Sequence, residues 1–89
     1  MKKIYKYTLD IVDKQVIEIP QGFYILSLKV QNGKICLWVI VDPDNESEKI
    51  HFAMVGTGVD LWCYSWYFID TVLLNSGDLV FHVFYKRGE

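Results

Sequence analysis

Three groups of residues have the types and spacing to do chemistry, and each points to binding more than to bond-making. Gly56-Thr57-Gly58 could turn tightly enough to aim backbone N–H groups at an anion, because glycine reaches positive φ and lets a ligand approach the chain closely. The segment lacks a third glycine, a following lysine and a helix, so neither the dinucleotide fingerprint nor the phosphate loop applies. A plain strand-ending glycine turn is the competing reading. Trp62, Tyr64 and Trp66, with Tyr67 beside them, share a parity that in an extended chain puts the first three on one face. Rings so arranged stack on bases, on apolar ligands or on a protein partner, or they plug the end of a small core. His51 and His82 carry imidazole, a side-chain type suited to acid–base chemistry, and each sits opposite the main apolar set of its strand. Neither has a nucleophile at readable spacing, so no catalytic residue is assigned.

The remaining polar clusters carry less. Asp42, Asp44, Glu46 and Glu48 alternate along an acidic loop, but the glycine and the distal bidentate glutamate of a calcium-binding EF-hand are missing. A solvated loop is the better account, and no metal is assigned. Cys36 and Cys63 have no CxxC or Cys/His spacing and read as free, buried thiols, so no cofactor is implied. Lys2, Lys3 and Lys6 near one end and Lys86 with Arg87 near the other would form a positive patch if the fold joined the ends; otherwise they keep the ends soluble.

Strands must position these groups. Residues 23–31 alternate, with Tyr24, Leu26, Leu28 and Val30 on one face and Ser27, Lys29 and Gln31 on the other. They run into Asn32-Gly33, the dipeptide of a type I′ turn, and then into 35–41, which is apolar on both faces. That second strand should be central and covered on each side, by a second sheet or by another subunit. Residues 3–9 and 15–19 form two more strands joined by a polar stretch, as a hairpin or a crossover between sheets. Residues 49–55 make a fifth, with Ile50, Phe52 and Met54 on one face, and 68–74 and 79–85 complete the set, the last alternating only weakly. No stretch keeps a helical apolar face, and the abundance of Val, Ile, Tyr, Phe and Trp disfavours helix. The expected fold is all-β: a single small antiparallel β-sandwich or partly open barrel of about seven strands, occupying 1–89 as one domain.

Composition bounds the function classes. A chain of 89 residues that is 52% apolar, 16% aromatic and 22% charged should fold as one domain with a modest core. A net charge of −2 gives no electrostatic footprint for duplex nucleic acid. The longest apolar run, 35–41, is too short to span a membrane, and the basic start has no apolar h-region after it. A cytoplasmic protein is expected, in which the sequon Asn45-Glu46-Ser47 is chance. A doubly apolar strand and exposed rings on so short a chain also predict a symmetric homo-oligomer.

Ile4-Tyr5-Lys6-Tyr7, Ile17-Glu18-Ile19-Pro20, Ile25-Leu26-Ser27, Val30-Gln31-Asn32-Gly33, Leu37-Trp38, Val41-Asp42-Pro43, Gly56-Thr57-Gly58 and His82-Val83-Phe84 together resemble a family of small uncharacterised bacteriophage proteins. The resemblance covers nearly the whole chain. It lapses between Asp60 and Tyr67, where the family is expected to carry a more polar, proline-bearing loop, so a role for these aromatics would be particular to this branch. It implies origin and size, and a small phage protein without assigned catalytic residues is expected to work by stoichiometric binding. The leading expectation is a non-enzymatic protein that sequesters a nucleotide immune signal between subunits and so counteracts host defence. Its ligand would be held by Gly56, Thr57, Gly58, Trp62, Tyr64, Trp66, His82, Lys86 and Arg87. The alternative is an interaction module that docks on a host protein or on the virion through the aromatics. An enzyme acting on a nucleotide through His51 or His82 is the third.

Overall fold

The doubly apolar strand organises the first layer. In a computed structural model, which describes residues 1–88, β4 (Lys34–Val41) lies between β1 (Lys3–Leu9) and β3 (Tyr24–Gln31) in a three-stranded antiparallel sheet. Asn32 and Gly33 both take positive φ, 54° and 78°, as the type I′ reading requires, and close the β3–β4 hairpin. Ile35, Leu37, Val39 and Val41 point from β4 into the interior and are fully buried.

The second layer is a four-stranded antiparallel sheet in the order β2 (Lys14–Pro20), β5 (Ser47–Gly56), β7 (Leu79–Arg87), β6 (Tyr67–Leu74). Ile19, Ile50, Phe52, Met54, Val72 and Val83 face the first sheet from it and complete the core. Each such side chain contributes about 1.5–3 kcal/mol by leaving water. Ile50, Phe52 and Met54 share the face that alternation predicted. The link between β1 and β2 proves to be a crossover, since the two strands belong to different sheets. The fold is thus a small open β-sandwich, not a closed barrel. Among the described residues no helix is long and apolar enough to cross a membrane.

One expectation is corrected. The register of β3 against β4 slips between Ile25 and Ser27, leaving Leu26 as the extra residue of a β-bulge. One extra residue reverses the parity, so Leu28 is buried while Tyr24 and Leu26 are 65% and 45% exposed. The four do not share a face. On the outward side of β4 the Lys6 ammonium donates to Gln31 Oε1 at 2.9 Å from one flanking strand to the other, and Cys36 lies buried on β4 between them. Of the basic residues near the two ends, Lys6 and Lys86 lie on different faces. Lys6 stands opposite Trp38 on the outer face of the three-stranded sheet, and Lys86 opposite His51 on the outer face of the other.

Candidate functional site

Alternation along β5 sends Ile50, Phe52 and Met54 inward and therefore sends His51, Ala53 and Val55 outward. The register carries this face across the sheet: Lys86, Phe84 and His82 of β7 stand beside His51, Ala53 and Val55, and Phe68 and Thr71 of β6 stand beside Phe84 and His82. Such a face would ordinarily be wet. Here the connection between β5 and β6 folds back over it and seats Cys63 and Trp66 against Ala53, Val55 and Phe84 as a second apolar cluster. That cover explains the weak alternation of β7, whose two faces both meet protein.

The fold-back begins at Gly56-Thr57-Gly58. The Val59 N–H donates to the Gly56 carbonyl at 3.2 Å, and Gly58 has φ 87°, the positive value a type II turn needs at its third position. Glycine is required there by backbone geometry alone. The same turn nonetheless forms one wall of an open hollow of about 330 Å³. Val55, Val59, Leu61, Phe68, His82 and Phe84 complete its lining. Phe68 and Phe84 meet edge to face with centroids 5.3 Å apart. His82 is held from both sides: Thr57 Oγ1 lies 2.8 Å from Nε2 and Thr71 Oγ1 lies 2.8 Å from Nδ1. A neutral imidazole has one N–H and one lone pair, so one threonine hydroxyl accepts from the ring and the other donates to it.

Beyond the fold-back, on the same outer face, stands a basic and aromatic cluster. Trp62 and Trp66 pack edge to face at 5.2 Å, Lys86 Nζ lies 5.1 Å from the Trp66 ring centre, and Lys14 Nζ lies 5.9 Å from that of Trp62. His51 completes the cluster edge-on to Trp66 at 6.4 Å. The tryptophans do not meet by the parity of an extended chain. Residues 62–66 turn, the Trp66 N–H donating to the Cys63 carbonyl at 2.9 Å, and four-residue spacing brings the two rings together. The same turn throws Tyr64 into solvent, 77% exposed and away from both halves of the site.

Of the residues expected to bind ligand, Gly56, Thr57, Gly58 and His82 line the hollow, and Trp62, Trp66 and Lys86 form the neighbouring cluster. Arg87 joins neither. Its side chain pairs with Glu48 at 2.8 Å and lies over Phe23, and the hydrogen bond to Glu48 raises its pKa further. Burial pushes the Cys63 thiol up and, with help from Tyr5, the Tyr7 phenol up. Among the described residues no three metal-binding side chains come together. Lys14, Phe68 and Phe84 were not expected in the site, and His51 only as an acid or base. Their place depends on which strands are neighbours, for which the chain carries no local mark.

The family model described as a domain of unknown function, DUF7352, matches residues 1–89. The chain belongs to the DUF7352 family. The match takes in every residue of the hollow and of the basic cluster, so both features lie within the DUF7352 domain. No curated protein and no solved structure matches the chain. The expected membership of an uncharacterised family therefore stands.

Proposed function

We propose that this DUF7352 protein works by stoichiometric binding, taking a nucleotide on the outer face of its four-stranded sheet. The observation that carries the reading is the juxtaposition of two unlike half-sites. An apolar hollow lined by Phe68 and Phe84 lies beside two lysines set over tryptophans, and the two are joined through the buried cluster of Ala53, Val55 and Cys63, on which both Phe84 and Trp66 pack. The hollow is at the lower end of the 300–1,000 Å³ typical of small-molecule sites. A planar base matches the hollow, and phosphate matches Lys86 and Lys14, which follow on the same face of the sheet. His82 supports a binding role over a catalytic one, since both ring nitrogens are already committed to threonine hydroxyls.

The finer setting follows from the bacteriophage resemblance: a cytoplasmic phage protein that removes a nucleotide signal of host defence, with a second copy covering the open side of the hollow. The test is the melting temperature of the protein with a panel of linear and cyclic nucleotides, together with native mass spectrometry. A ligand at a hundred times its Kd adds about 2.7 kcal/mol, which in a domain this small raises Tm by on the order of 10 °C. Lys86→Ala should abolish the rise. No shift with any nucleotide at large excess overturns the reading.

A second reading has its own support. The hollow is lined mostly by apolar side chains, and of these Val59 and Phe68 are more than half exposed and Leu61 nearly half, which suits an apolar protein anchor on a host or virion partner. Here Phe68→Ala would matter and Lys86→Ala would not.

A further inference from the structure

The opposite face of the molecule has a charge pattern that the overall balance conceals. The chain has 11 Asp and Glu against 9 Lys and Arg, yet β1, β3 and β4 contain no acidic residue at all. Their register gathers Lys6, Lys29 and Lys34 on the outward side, beside Trp38, Cys36 and Gln31 respectively. Tyr24 stands next to Ile40 on the same side, and Trp38 follows two residues along β4. Tyr24 is 65% exposed, partly because the bulge at Leu26 turns this end of β3 outward. Asp10 and Asp42 directly follow β1 and β4, and the amino group of Met1 lies 3.6 Å from Asp42.

We propose that this outer face of the three-stranded sheet docks single-stranded nucleic acid. Three lysines on strands that contain no acidic residue supply phosphate contacts, with Asp70 of β6 lining the hollows beside Lys29. Tyr24 and Trp38, diagonal neighbours on adjacent strands at a spacing of roughly 7–8 Å, supply ring faces for successive unpaired bases. Lys6 is held in place by its hydrogen bond to Gln31, and Ser27, Thr8 and Gln31 add uncharged donors and acceptors between the rings and the lysines. A second copy of the chain fits poorly, because a two-fold pairing of this face would set lysine against lysine. Duplex fits poorly too, since its bases are stacked away from the rings and the rest of the surface is net acidic.

The test is fluorescence anisotropy with a labelled oligothymidine, a duplex of equal length and polyglutamate as competitor, at low and at physiological salt. The expected result is binding of the single strand that weakens with salt at a slope of about −2, from roughly 0.7 per lysine contact. Substituting Lys6, Lys29 and Lys34 together by alanine should flatten the slope. Tyr24→Ala should weaken binding roughly tenfold to a hundredfold. Lys49→Ala, on the other sheet beside Glu18, should leave it unchanged. All these side chains are exposed, so circular dichroism should report the same fold throughout. No binding at low salt, preference for duplex, equal competition by polyglutamate, or loss through Lys49→Ala instead would each overturn the proposal.

Discussion

The molecule has two apolar clusters, and they are built differently. The main core is made where two sheets face each other, by side chains that alternate inward from strands far apart in sequence, such as Leu9, Leu37, Phe52 and Val83. The second cluster is made where one sheet meets its own connecting loop: Ala53 and Val55 from β5, Phe84 from β7, and Cys63 and Trp66 from the segment between β5 and β6. The first holds every strand but has no access to solvent. The second holds one loop, and the hollow and the lysine-bearing tryptophans lie around it. Stability and recognition are therefore separable here: damage to the first should unfold the chain, while damage to the second should release the loop and leave the sandwich standing.

The largest expected effect comes from the core. Phe52 is fully buried against both layers, and Phe52→Ala should cost about 3–5 kcal/mol, lowering Tm by roughly 15 °C or more in a domain this small. Trp66→Ala should cost less, about 1–3 kcal/mol, because the ring is only partly buried and one loop depends on it. Hydrogen exchange separates the two. In Trp66→Ala the amides of 57–66 should lose protection while those of β4 keep it; equal loss in both places would mean that the clusters form one cooperative unit. Thr71→Val is smaller again. It removes the partner of His82 Nδ1 at a half-buried position and should cost about 1 kcal/mol, measured by urea denaturation.

The same contrast explains what could be read from the sequence. The sandwich was legible because period-two alternation survives in Ile50, Phe52 and Met54, because Asn32-Gly33 marks its turn by the φ values it alone supplies cheaply, and because a strand apolar on both faces has few places but the middle of a sheet. The bulge at Leu26 was not legible, since no glycine marks it and a leucine reads the same in or out of register. The site was half legible. Gly56, Thr57, Gly58 and His82 meet at the hollow, and Trp62 and Trp66 at the cluster, as their types suggested. Tyr64 lies apart from the site because parity holds only for an extended chain and these residues turn, and Arg87 because residue type says nothing of a partner such as Glu48 on the neighbouring strand. Lys14 and Phe68 reach the site through strand order, a long-range property that pairing decides and local pattern does not.

The smallest expected effect tests whether the second cluster is truly dry. Cys63 is fully buried among apolar side chains, and that burial raises its pKa above the ordinary thiol value, the opposing backbone hydrogen bond being the lesser influence. In the unfolded chain the thiol ionises at its ordinary pKa, while in the folded chain it must stay protonated to a higher pH. Below the ordinary thiol pKa both states hold the proton, and burial has no pH-dependent cost. As pH rises past that value the unfolded state loses the proton first, so it binds fewer protons than the native state and stability falls. Tyr7 adds the same slope at higher pH, for the same reason. Urea midpoints measured from neutral to alkaline pH should therefore decline above the thiol range, and Cys63→Ala should remove the first part of that decline while leaving the tyrosine part. A flat profile in the parent protein would mean that water reaches Cys63, and that the loop over the outer face is held less firmly than the cluster beneath it implies.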